Sequence, residues 1–457
     1  MNMRATHILR AAGCAILVAG TATACATAHP EQQLSVTADD GRLVPLDSVT
    51  TSYMVNGVKV IQRPNAANDV VAVNLYLLGG VRQLTPPTQG IEKVLLVASE
   101  YGSAKYPGGA LRRAWSLTGS EIMISPEPDW TVYGFEGVRQ EFDSSFAVFA
   151  DRLMHPTLAP KSVKLASARM LTRLRQRKAS PDGLVWLLAD SIAFANHPYG
   201  LTPNGTESSL AALDSATLGR YVAEQMVKSR MLLVVVGNVK KEAVERAVTK
   251  SLATLPAGDY QWTLPQPMPK PTTNVTLVRR PVPTNYILGL FQGPLTSDPD
   301  YPAFRIATAL LGSQVSQSVR DEEGLSYAAY APFMERGVSG GGLYASTTNP
   351  AEVLPLMRKA VADMKDFPIG VFNMRYMAEG WIISYLSENS TSSSQADFLA
   401  RAELYHGDYR KASDEMEGLR RVTSVGVRSA SIKYFKNIQF VYVGDTTKVE
   451  RKLFKSF

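Results

Sequence analysis

Hydrophobic and polar positions along the chain alternate between strand-like and helix-like stretches. Val49–Val60 reads as strand broken by Asn56-Gly57, a dipeptide suited to the left-handed backbone of a two-residue hairpin turn. Val70–Leu78 (VVAVNLYLL) is almost wholly apolar and predicts a buried strand ending at Gly79-Gly80. Helices are predicted at Ile91–Tyr101 and Ala110–Leu117, and strands at Glu121–Ser125 and Trp130–Gly134. Helical periodicity then covers Phe142–Met154, Val163–Arg177, Leu184–Ala195 and Ala216–Gln225. Met231–Val236 predicts a strand, closed by Gly237-Asn238 and followed by a helix from Lys241.

This layout recurs. Met231-Leu-Leu-Val-Val-Val-Gly237-Asn238 aligns with Ile438-Gln-Phe-Val-Tyr-Val-Gly444-Asp445, and Val71–Gly80 aligns with Tyr286–Gly293. Both pairs are about 210 residues apart, a repeat of domain size rather than of a solenoid. Chance is the competing explanation, because strand–glycine–helix units are common. Pro256–Pro271, with Pro265, Pro267 and Pro269, divides the copies. The expected fold class is α+β: two homologous sandwich-like domains, each an antiparallel-rich sheet packed by helices. Their expected spans are 46–255 and 273–457, joined by a linker at 256–272.

At 457 residues the chain exceeds one compact domain. Its 45% hydrophobic and 19% charged content argues against long disorder. The formal charge is +7 and shows no Lys/Arg block with interleaved aromatics, so a solvated face is expected and nucleic acid is not an expected partner. Arg4 and Arg10 precede the short apolar run Ala11–Ala24, which makes residues 1–24 a secretory signal. Ala22-Thr23-Ala24-Cys25 resembles a bacterial lipobox, with Ala where Leu is usual; cleavage after Ala26-Thr27-Ala28 is the other route. An acylated Cys25 would anchor the chain to a membrane through a tether at 25–45, in the bacterial periplasm. Both cysteines, Cys14 and Cys25, lie in this leader region, so the body has no disulfide and no thiolate ligand.

Several motifs then fall in one order. They are Asn56-Gly-Val-Lys-Val-Ile61, Gly90-Ile91, Gly102-Ser103, Asp129-Trp-Thr-Val-Tyr133, His197-Pro-Tyr-Gly200 and Gly205-Thr206-Glu207, then Arg320-Asp-Glu-Glu-Gly-Leu-Ser-Tyr327. Their order and spacing resemble the pitrilysin/insulinase (inverzincin) family of zinc peptidases, over nearly the whole chain after the leader. That resemblance implies a zinc-binding H-x-x-E-H on the helix after Gly90, where two His at i and i+4 hold the metal and Glu activates water. Here Lys93 and Val97 stand at the His positions and Leu96 at the Glu position. The family's third ligand, a Glu on a later helix, maps onto Thr172 or Arg173. Independently of alignment, the five histidines (7, 29, 155, 197 and 406) include no H-x3-H pair. No zinc is therefore expected on this chain, and Lys93 and Arg173 are expected to lie near each other and repel a metal.

The resemblance further implies that two such two-domain units face each other as a clamshell. An Arg-x6-Tyr pair, here Arg320 and Tyr327, would then bind substrate beside a zinc held by the other unit. Read without the resemblance, they are a surface Arg and a half-buried strand Tyr. Val71–Leu77 and Leu325–Tyr330 are expected chamber strands that could pair with a peptide backbone. His197 reads as part of a structured turn, His155 as a helix terminus, and Gly337 with Gly340–Gly342 as a turn or bulge. The expectation is a catalytically inactive subunit of an exported zinc endopeptidase. Its partner would be an H-x-x-E-H homologue in a heterodimer, carrying the zinc. The alternative is a partner-independent peptide-binding or scaffold protein of the cell envelope.

Overall fold

Asn56 and Gly57 both take positive φ, 46° and 90°, and turn the chain between β1 (Thr51–Val55) and β2 (Val58–Arg63), as the dipeptide predicts. The computed structural model describes residues 49–268, 272–366, 379–380, 382–384, 387–455 and 457. The leader, the tether and Cys25 lie outside the described residues.

The first half continues through β3 (Val70–Leu78), α1 (Ile91–Ala98), α2 (Gly109–Thr118), β4 (Glu121–Pro126) and β5 (Trp130–Val138). It then runs through α3 (Phe142–Met154), α4 (Pro160–Ala179), α5 (Pro181–Ala193), α6 (Glu207–Ala212), α7 (Ser215–Gln225), β6 (Met231–Val236) and α8 (Lys241–Thr249). The second half holds β7 (Asn274–Arg279), β8 (Asn285–Leu295), α9 (Tyr301–Ser316), β9 (Ala328–Tyr330), β10 (Phe333–Met334) and β11 (Val338–Thr347). It ends with α10 (Pro350–Asp366), α11 (Ser392–His406), α12 (Ala412–Arg420), α13 (Ser424–Tyr434) and β12 (Gln439–Gly444).

The two sheets repeat one plan. The first runs β1-β2-β6-β3-β5-β4, and the second runs β10-β11-β8-β12-β7 with β9 also on β11. In each, one parallel pair (β2 with β6, β7 with β12) sits beside antiparallel neighbours. β6 therefore matches β12 and β3 matches β8, the same pairs that the sequence repeat aligned.

Side chains alternate across a strand, so apolar runs such as β3 need cover on both faces. On the inner face of the first sheet, Val71, Val73, Leu75 and Leu77 join a core with residues of α1, α3 and α4. On the outer face, Tyr76, Trp130 and Leu232 pack against Ala396, Leu399 and Ala400 of α11, a helix of the second half. The exchange is mutual: Leu184, Val185 and Ala189 of α5 cover Leu288, Leu290 and Val441 on the second sheet. The described start of the proline-rich segment is a strap laid on the first of these seams, through Tyr260, Trp262 and Leu264. Its Trp262 packs there and donates through Nε1 to the Leu404 carbonyl at 2.7 Å.

Asp129 bolts the halves together. Buried just before β5, its carboxylate accepts from the Tyr199 hydroxyl at 2.8 Å, the Tyr405 hydroxyl at 3.0 Å and the Gly337 N–H at 2.8 Å. Two of the recognisable motifs, Asp129-Trp and His197-Pro-Tyr, thus meet at one joint. Burial raises the pKa of both tyrosines, keeping their hydroxyls as donors. Gly340–Gly342 lie within β11, not in a turn, and the irregularity there is a register shift between Val338 and Gly340.

Candidate functional site

α1 begins at Gly90, whose φ of 82° is left-handed, and a Cβ there would come within 2.8 Å of Gly205 Cα. Two glycines in close approach thus set the start of α1 against the 204–206 loop. α1 is then sealed. Leu96 is 1% exposed and Val97 9%, and both belong to the core. Nearby carboxylates are engaged elsewhere: buried Glu92 accepts from the Tyr221 hydroxyl at 2.9 Å and from Arg230 at 3.2 Å, and Glu100 pairs with Arg169.

Of the three α1 positions that the resemblance assigned to zinc chemistry, Lys93 alone carries a polar group. Half-buried, it donates to Asn204 Oδ1 at 2.5 Å. Burial lowers its pKa first, and the positive charges of Arg173 and Arg177 lower it further, against an opposing pull from Glu127. Arg173 is exposed on α4, and Thr172 beside it donates to the Ala168 carbonyl at 3.0 Å. Among the described residues, no three His, Cys, Asp or Glu side chains converge where a metal could be held. Lys93, Leu96 and Val97 do not fit zinc, because a cationic group and two core hydrocarbons offer none of the imidazoles and carboxylates that it needs.

Arg320 and Tyr327 come together. α9 runs on into a widened π turn, Gln317–Glu322, which carries Arg320. Gly324 (φ 63°) ends it, and the Leu325 N–H closes back onto the Val319 carbonyl at 2.9 Å. The guanidinium lies over the Tyr327 ring, 5.0 Å from its centroid, and its strongest ion pair is a loose 3.8 Å contact with Asp321. Tyr327 is 85% exposed, so packing does not account for it.

The structure also separates central strands from edge strands. β3 lies between β6 and β5 with both edges paired, so Val71–Leu77 offers a peptide nothing; its apolar residues on both faces are those of a central strand. β4 and β1 end the first sheet, and β7, β9 and β10 each pair on one side only in the second, so Leu325–Tyr330, which contains β9, lies at an edge; on β4, Ile122 and Ile124 pack inward near α1. His197 holds its turn, accepting from the Tyr199 N–H at 3.1 Å and meeting the Gln266 carbonyl at 3.0 Å. His155 terminates α3.

Comparison with known proteins places the chain. The family profile of the insulinases (peptidase family M16) matches residues 59–207, and that of the peptidase M16 inactive domain matches residues 213–372. This chain belongs to the insulinase (M16) peptidase family. The zinc protease YmxG of Bacillus subtilis is 22% identical, over 60% of this chain and 68% of its own. The mitochondrial-processing peptidase subunit beta of Blastocladiella emersonii is 21% identical over 65% of this chain, and the match spans 61% of that protein's length. A crystal structure of a peptidase M16 inactive domain from Pseudomonas fluorescens superposes with a TM-score of 0.80 at 18% identity, covering 87% of this chain and 98% of that one. At that identity the superposition shows the fold alone. The sequence contains no H-x-x-E-H, and it does contain the Arg-x6-Tyr spacing at Arg320 and Tyr327. Asn204, Arg177 and Glu127 around Lys93 escaped sequence reasoning. The glycine approach that brings Asn204 in was visible only as two separate motifs.

Proposed function

We propose that this chain is a non-catalytic, peptide-binding subunit of an exported M16 zinc endopeptidase, contributing Arg320 and Tyr327 to a zinc site carried by a homologous partner. The observation that supports it is the exposed, stacked Arg320–Tyr327 pair on a π turn, in a chain whose own zinc position is filled by core side chains. As a peptide carbonyl on the partner's zinc gains negative charge, a guanidinium and a phenol can both donate to its oxygen. The zinc supplies the Lewis acid and the activated water; this chain supplies donors and a strand edge. The same reading places the chain in the periplasm, anchored through Cys25.

The test is reconstitution with an H-x-x-E-H homologue and a quenched fluorescent peptide. The chain alone should cleave nothing, and the mixture should be active. Arg320→Ala should lower turnover of the pair by roughly 10²–10³-fold. Unchanged turnover would remove the donated-site reading, and so would stoichiometric zinc on this chain with cleavage lost on chelation. The second reading, partner-independent peptide binding, draws support from β4 and the cationic Lys93 position lying on one chain. It predicts peptide affinity without a partner and no co-purifying metalloprotease.

A further inference from the structure

α4 carries seven Lys and Arg residues and no Asp or Glu, in a chain of formal charge +7. Three of these cations are matched, Arg169 by Glu100, and Arg175 and Lys178 by Glu207. Arg173 and Arg177 are exposed and have no ion-pair partner among the described residues. They stand four residues apart, so they share one helix face and repel each other. Lys93, on the helix packed against α4, adds a third cation. It is the third residue of α1, at the positive end of that helix's dipole, where a cation is disfavoured. Nearby carboxylates do little to match it. Glu92 is turned into the core by Tyr221 and Arg230. Glu127 attracts Lys93 without forming an ion pair, and its Oε1 accepts from the Ser125 hydroxyl at 2.9 Å. A half-buried ammonium, two guanidiniums and a helix dipole thus share one place with too little negative charge beside them. An arrangement that breaks several local rules without a packing return marks a place built for something else.

We infer that Lys93, Arg173 and Arg177 form a receptor for a carboxylate of a captured peptide, a reading that rests on the peptide binding proposed above. The depth of the site favours a narrow ligand. Lys93 is recessed and held by Asn204 Oδ1, so a flat anionic bilayer would touch only the exposed arginines. A carboxylate on an extended peptide can enter. Asn204 takes one of the three N–H bonds of the ammonium and leaves two to donate. Arg173 and Arg177 each offer the planar fork that matches two carboxylate oxygens. A bound carboxylate also offsets the burial and the repulsion that lower the Lys93 pKa. The group is either the peptide's C-terminus or an Asp or Glu side chain.

The experiment titrates the full chain by calorimetry with an N-acetylated heptapeptide of Ala and Thr in three forms: a free C-terminal carboxylate, a C-terminal amide, and that amide with one central Asp. At least one carboxylate form should bind about tenfold more tightly than the neutral amide, and whichever does names the source. Lys93→Met and Arg177→Gln should each remove most of that advantage while keeping native affinity for the neutral amide, which reports an intact fold. Lys164→Gln, more than two turns earlier on α4, should leave it unchanged. Equal affinity for the three peptides, or an advantage that survives both Lys93→Met and Arg177→Gln, overturns the receptor and leaves peptide capture standing. Phosphatidylglycerol vesicles that displace the carboxylate peptide and bind equally well to the Lys93→Met chain would also overturn it, making α4 a membrane-facing stripe. Failure of every peptide to bind overturns peptide capture itself, and the receptor with it.

Discussion

α1 and α9 are equivalent helices, each following the matching central strand of its half, and they have met opposite fates. The positions on α1 to which the resemblance assigned zinc chemistry are packed: Leu96 and Val97 are core residues, and Lys93 is tied to Asn204. The end of α9 has resisted absorption. It widens into a π turn and stops at a left-handed glycine, leaving a tyrosine 85% exposed under an arginine. A site that has lost its chemistry is recognised by how well it packs. One that retains chemistry is recognised by features that packing does not explain.

The contrast can be broken by substitution. Leu96→Glu should have the largest effect, about 3–5 kcal/mol at neutral pH, because it places an unpaired carboxylate in a closed core. Urea midpoints would show it, and the penalty should shrink as pH falls toward the ordinary carboxyl pKa, below which the group is neutral in both states. A tolerated Leu96→Glu would mean that the position is not sealed. Val97→Ala should cost about 1–3 kcal/mol through lost contact and a small cavity. Lys93→Met should give less than about 1 kcal/mol of added stability at pH 7, since the ammonium is only half-buried. Its sign follows from the lowered pKa: the unfolded chain holds this proton where the folded chain has begun to release it. Stability should therefore rise as pH climbs through the range below the ordinary lysine value of 10.5, and thermal melts of Lys93→Met should lose that rise. Smallest of all, Tyr327→Ala should shift stability by no more than about 0.5 kcal/mol. If it destabilised the fold as much as Val97→Ala does, Tyr327 would be a packing residue after all.

What the sequence disclosed depended on range. β3, β6 and β12 were legible because a short apolar run bounded by glycine leaves few other choices, and two such runs at one offset exposed the repeat. The absence of an H-x-x-E-H was legible because that motif lies within about one helical turn. The meeting of Arg320 and Tyr327 was legible only through the family resemblance; the intervening residues do not announce a π turn. Whether a strand is central or at an edge is not written in its own residues: of the two expected chamber strands, β3 is closed on both sides, whereas Leu325–Tyr330 contains β9, which pairs on one side only. A cavity on the outer face of the first sheet was out of reach altogether. Asn74, Glu127, Arg305, Glu335, Arg401 and Glu415 become neighbours only because α11 crosses to the other half's sheet.

That crossing also constrains synthesis. The first sheet has all its strands once β6 is made at residue 236, yet the helix that covers its outer face spans residues 392–406. At ordinary elongation rates of roughly 5–20 residues per second, Tyr76, Trp130 and Leu232 stay bare on the nascent chain for about ten to thirty seconds. A ribosome stalled in that interval would present an open apolar sheet, the kind of surface that chaperones bind and aggregates grow from. A gene fragment ending in the proline-rich strap should behave as that intermediate does, permanently.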